Sequence, residues 1–267
     1  RVNSAYAQGS GYSKQELFGR NHFELFPHAE NQAIFEQVRD TGEPATFQAK
    51  PFEFPERPEL GTTYWDWSLV PVKDENGDVH GLVLSLLDVT ERERARQERE
   101  AHLASLNTLI AVSEQVLAET TVAGVLQQVV DAARELTGAR VSIAGHSYQE
   151  GVFQVGATSR SEDMPPCPPG EDFGVWEGGL YLDLLEGKTS LRLTDEQLSQ
   201  HPTWRELPEE HVPLRGILGI RLVGRDGQTK GLIMVSDKKE GDFTVEDEVL
   251  LTQLAALASL GLQHIEA

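Results

Sequence analysis

Apolar residues recur along this chain at two periods. Over 217–223 and 231–236 they run almost unbroken and rich in branched side chains, and Arg225-Asp226-Gly227-Gln228 joins the two runs. Short apolar runs on either side of an Asp-Gly turn predict a β-hairpin. Beyond them the period lengthens. Thr244 is a predicted N-cap, acids fill the turn after it, and Val249, Leu250, Leu254, Leu257, Ala258, Leu260 and Leu262 recur at helical spacing. A long closing helix is expected there.

Earlier in the chain, strands are predicted over 47–54, 62–72 and 79–89, the last two joined by an acidic turn around Asn76-Gly77. Residues 122–137 predict an amphipathic helix stopped by Gly138, followed by strands over 141–145 and 152–158, a short helix over 176–185 and a short strand over 191–193. Met164-Pro165-Pro166-Cys167-Pro168-Pro169-Gly170 is too proline-rich for a helix or a central strand.

Between these halves, eight of the ten residues over 91–100 are charged, with both signs mixed, which predicts a solvated connecting helix. Leu103, Leu106, Ile110, Ser113 and Leu117 then follow a 3-4-3-4 spacing, and Leu109, Val112 and Val116 widen the stripe. A narrow seam predicts a parallel dimer; a wider one predicts packing on the helix's own domain. The expectation is both: a parallel homodimer through this helix and the closing helix.

Length and charge narrow the function. A chain of 267 residues holds about two domains. A net charge of -20, from 43 acids against 23 bases, opposes nucleic-acid or anionic-membrane binding, which require clustered bases. A single cysteine, Cys167, forms no internal disulfide, so a reducing, cytoplasmic setting is expected. No apolar run approaches a membrane span. Arg1 is not an initiator Met, so a piece of a longer protein is expected.

Two family resemblances organise these elements. Ser236-Asp237-Lys238, then Phe243 and Asp247-Glu248, resemble the GAF signature, with Asp237 where that family often has Asn. The resemblance implies that Lys238 and Asp247 pair across the fold. Val2 to Tyr6, Gly11 to Arg20 with Ser13 as a helix cap, and the close Asp88-Val89-Thr90-Glu91-Arg92 resemble the later part of a PAS domain whose first two strands would precede Val2. The expected fold is α+β, with two sensory domains, each an antiparallel sheet flanked by helices: a PAS domain over 1–90, a helical linker over 91–102 and a GAF domain over 103–267. Phe47, Phe52, Phe54, Trp65 and Trp67 are expected in the first core, and His22, His28 and His80 at the surface.

The candidate chemistry lies over 188–220. Leu191-Arg192-Leu193-Thr194-Asp195, His201-Pro202, 208–215 and Leu218-Gly219-Ile220 are similar to haem-binding GAF domains of bacterial and archaeal redox and gas sensor kinases. That resemblance implies His211 as iron ligand, on a loop stiffened by Pro213, with His201 or His146 as weaker candidates for a second axial position. Leu214, Ile217, Leu218 and Ile220 would wall the porphyrin, and Arg215 or Arg192 would meet a propionate. Cys167 matches the single thioether of some archaeal relatives, while the Cys-x-x-Cys-His motif is absent. Read from the residues alone, His211 is equally a loop histidine beside two glutamates, and Cys167 a plain thiol. A bilin is the weaker cofactor reading, for the Asp-Ile-Pro run and Cys-His pair are absent; a cyclic nucleotide or another small ligand, or a cofactor-free dimerisation and relay module, also stay open. His102 lacks the acid and proline of a kinase phosphoacceptor, and no cyclase, nucleophile-elbow or zinc-helix motif is present. The expectation is a non-enzymatic input segment of a histidine kinase.

Overall fold

The computed structural model describes residues 2–54, 57–149, 152–164, 175–177, 180, 184, 188–202 and 215–266. They fall into two compact units, residues 1–101 and 102–267.

In the first unit, helices α1 (Ser4–Ser10), α2 (Lys14–Leu17), α3 (His22–Leu25) and α4 (Ala29–Thr41) precede strands β1 (Ala45–Glu53), β2 (Thr62–Lys73) and β3 (Val79–Asp88). Ser13 and Glu16 close a capping box on α2, and Gly42 ends α4 at φ 67°. The strands form an antiparallel sheet in the order β1-β2-β3. Alternation in β2 turns Trp67 and Leu69 inward, against Val38 of α4 and with Phe35, Phe47, Trp65, Leu82 and Leu84 around them. The expected aromatic core is thus centred on Phe47, Trp65 and Trp67, whereas Phe52 and Phe54 meet edge-to-face at its margin, 4.9 Å between ring centres.

Helix α5 (Thr90–Ala118) is followed by α6 (Val122–Thr137), capped by Thr121 and ended by Gly138 at φ 66°. Strands β4 (Ala139–Gln149), β5 (Val152–Arg160), β6 (Val175–Glu177), β7 (Ser190–Leu193), β8 (Ile217–Val223) and β9 (Thr229–Lys238) make a six-stranded antiparallel sheet in the order β6-β5-β4-β9-β8-β7. Helix α7 (Asp195–Gln200) follows β7, and α8 (Val245–Glu266) closes the unit. Trp176, expected in a helix, instead lies in β6 opposite Phe153 of β5.

The sheet has a buried layer on each face, which is why β8 and β9 read as unbroken apolar runs rather than alternating ones. Leu218, Ile220 and Leu222 of β8, with Ile233 and Val235 of β9, pack under Val125, Leu126 and Val129 of α6 and Leu251, Leu254 and Ala258 of α8. Ile217, Leu232 and Met234 face the other way, into a second cluster with Leu180, Leu184, Leu191 and Leu198. At about 25 cal/mol per Å² of apolar surface, each fully buried leucine contributes roughly 1.5–3 kcal/mol, so both layers hold the sheet.

Candidate functional site

Of the residues proposed to hold a cofactor, His211, Cys167 and Leu214 lie outside the described residues. Arg215 and Leu218 are described. Leu218 is fully buried in the helix-side layer together with Ile220, because strand alternation points both away from the face occupied by Ile217. His146 follows the same logic. It stands opposite Gly231 of β9, in register with helix-facing Ala144, and its Nδ1 lies 3.5 Å from where a Cβ on Gly156 would be. His201 is the C-cap of α7, with Nδ1 buried and without a partner among the described residues.

Arginines expected near propionates are committed to carboxylates. The Arg215 Nε lies 2.9 Å from Oδ1 of Asp237, which raises the guanidinium above its usual value, and Arg140 approaches the other oxygen at 3.9 Å. Arg192 Nε lies 3.0 Å from Oε2 of Glu248, while the Ser190 hydroxyl donates to Oε1. These two contacts, the hydroxyl first, hold the Glu248 carboxyl below the usual carboxylate range. Next along β9, Lys238 pairs with Asp247 in the first turn of α8, as the signature implied, and Asp247 also accepts from the Thr244 amide at 2.7 Å.

The long helices carry two separate apolar faces. On α5, Val112 and Val116 are buried and Leu109 packs beside them, with Val116 close against Gly261 of α8. Roughly a third of a turn away, Leu103, Leu106, Ile110 and Leu117 stand 40–60% exposed. On α8, Leu251, Leu254 and Ala258 are buried, whereas Val249 and Leu260, on the opposite face, are more than half exposed.

Residues 119–263, more than half of the chain, match the family model described as GAF domain. The chain belongs to the GAF family. Residues 1–94 match the model described as PAS fold. Among solved structures, the GAF domain of an Acinetobacter phosphoenolpyruvate-protein phosphotransferase aligns at 20% identity and TM-score 0.50, covering 60% of this chain and 93% of that one. The GAF domain of the corresponding Coxiella burnetii protein aligns at 20% identity and TM-score 0.49, over 61% and 94% of the two chains. A far-red-absorbing protein solved in its dark state with bound biliverdin aligns at 12% identity and TM-score 0.46, over 60% and 99%.

In this GAF domain the face opposite the helices is apolar, and among the described residues Leu184 packs on it. An ideal Cβ on Gly219 would meet the Leu184 methyl at 2.6 Å, and Leu184 is fully buried. A porphyrin has no floor on these described residues unless Leu184 leaves, and no cluster of metal-ligating side chains occurs among them. No described helix is long and apolar enough to cross a membrane.

The PAS unit holds a histidine that the sequence reading placed at the surface. His22 is half-buried, stacked on Phe35 at 5.5 Å and 9°, edge-on to Phe23, with Nδ1 3.0 Å from the Tyr6 hydroxyl. Burial pushes its imidazole below the usual value. His28 caps α4 by accepting from the Asn31 amide, and only His80 is exposed as expected.

Proposed function

We propose that this PAS-GAF chain is a signal-relay segment of a two-component protein, a histidine kinase in the sequence reading, that dimerises in parallel through α5 and α8. The observation that carries the reading is the split of α5 into a face buried on its own domain and a 3-4-3-4 seam completed by Ser113, on which Leu103, Leu106, Ile110 and Leu117 are exposed. An exposed seam of this spacing is costly to leave in water and matches knobs-into-holes packing with an equivalent helix. In this proposal a change in either sensory domain alters the packing of the helix pair, a two-state element whose balance the downstream kinase reads. The input segment itself carries no catalytic step in this reading. Sedimentation velocity tests it. The wild-type chain should sediment as a dimer, and Leu106→Glu with Ile110→Glu as a folded monomer; a monomeric wild type contradicts the reading.

Haem at His211, tethered at Cys167, is a second reading, supported by the wholly apolar face formed by Ile217, Leu232 and Met234. When bound, haem would supply redox or gas-ligand chemistry. On the protein side Leu184 must vacate Gly219 and Arg215 must exchange Asp237 for a propionate. A Soret band after haem addition that disappears in His211→Ala supports this reading, and its absence at saturating haem removes it.

A further inference from the structure

Arg221 is the sole charged residue of β8, and it has no acid opposite it. Its register partner on β9 is Leu232, and its Nε is buried without an acceptor among the described residues. By contrast Arg140, Arg192 and Arg215 each face a carboxylate. Leaving a half-buried guanidinium unpaired is costly, and in a chain of net charge -20 an intramolecular acid was not scarce.

Arg221 lines a groove of about 590 Å³ between β8 and α8, walled by Ile220, Val223, Ala256 and Leu260. The volume falls within the range of small-molecule sites, roughly 300–1,000 Å³, and the lining sets apolar Ile220, Val223, Ala256 and Leu260 beside the hydroxyls of Ser190, Thr252 and Ser259 and the charges of Arg221 and Glu248. Glu248 also lines it, but both of its oxygens are engaged, by the Ser190 hydroxyl and by Arg192, so Arg221 is the charge left to a ligand. The groove lies beside α8, not against the Leu184 face. We propose that it binds an amphipathic carboxylate: the acid on Arg221, the apolar tail along Ile220, Ala256 and Leu260. Such a ligand touches Leu260, which with Val249 also forms the exposed face of this helix, and so can bias the helix pair.

The test uses octanoate as probe and octanol as the same tail without the acid. Octanoate should raise the melting temperature of the whole chain dose-dependently, and octanol should not. Arg221→Met should weaken the apparent affinity about tenfold, the loss of one charge-assisted contact, while Arg221→Lys keeps part of it. The unliganded melting curve of each variant shows that it folds, and its sedimentation separates this site from the dimer. The proposal is overturned if octanol matches octanoate, if neither shifts the melt, or if Arg221→Met leaves affinity unchanged. It is overturned as well if Arg221→Met lowers the dimer mass while octanoate does nothing, which assigns the groove to a second copy.

Discussion

Asp237 stands at φ 54°, in the left-handed region that Asn and Asp tolerate better than other side chains. That angle lets one residue near the end of β9 accept from Arg215 and pass the chain to Lys238, whose partner Asp247 lies in the first turn of α8. Asp237→Ala should therefore destabilise the GAF domain by about 1–2 kcal/mol, chiefly through the backbone, since the Arg215 side chain is more than half exposed and its ion pair weak. Asp237→Asn should cost less, and thermal denaturation of the two variants compares them. His22 makes a pH prediction. Its folded value is depressed by burial, so the unfolded chain takes up a proton first as pH falls through about 6.5, and PAS stability is lost on that side. His22→Phe keeps the stacking and should flatten the dependence between about pH 7 and 5 in melting curves. The GAF signature made Lys238 and Asp247 legible in advance. His22 was not, because it follows polar Arg20 and Asn21 and its partners Phe35 and Tyr6 arrive from other helices.

Among elements, those with a strong period and a clear stop were legible. Helix α6 ends at Gly138, and the hairpin β8–β9 spans the two apolar runs. Helix α7 was missed although Thr194 and Gln197 form a capping box, a signal in plain view. Trp176 was assigned to a helix because a three-residue edge strand has no period of its own; its pairing to β5 decides it. Which face each strand residue takes was also not legible in the unbroken runs of β8 and β9, where Leu218 and Ile220 pack on the helix side and Ile217 on the other. The central strands approach closely at Gly231, where a Cβ would lie 2.0 Å from the Gly145 carbonyl oxygen. Backbone cannot swing aside as a side-chain end does, so Gly231→Ala should cost about 1–3 kcal/mol or more, read from urea unfolding. Gly227, in the exposed turn, meets nothing within 4 Å, but its φ of 73° makes Gly227→Ala cost only local strain.

For the whole molecule, the tandem order and both fold classes were readable from motifs, whereas the cofactor was not, because His211 and Cys167 declare a site only through what surrounds them. What the folded chain adds is the division of α5 into an inner face, Leu109, Val112 and Val116, and an outer one, Leu103, Leu106, Ile110 and Leu117. Leu184→Ala should cost about 2–5 kcal/mol as a core truncation and, in the haem reading, also free the floor above Gly219. The relay itself depends on two copies of α5 lying side by side in register. Oxidative cross-linking of single-cysteine chains, with Cys167 replaced by Ser, addresses that directly. Leu106→Cys and Ile110→Cys should each link to their own counterpart in a second copy, while exposed Ala111→Cys should not. Equal linking at all three positions, or none at any, would contradict a parallel α5 pair.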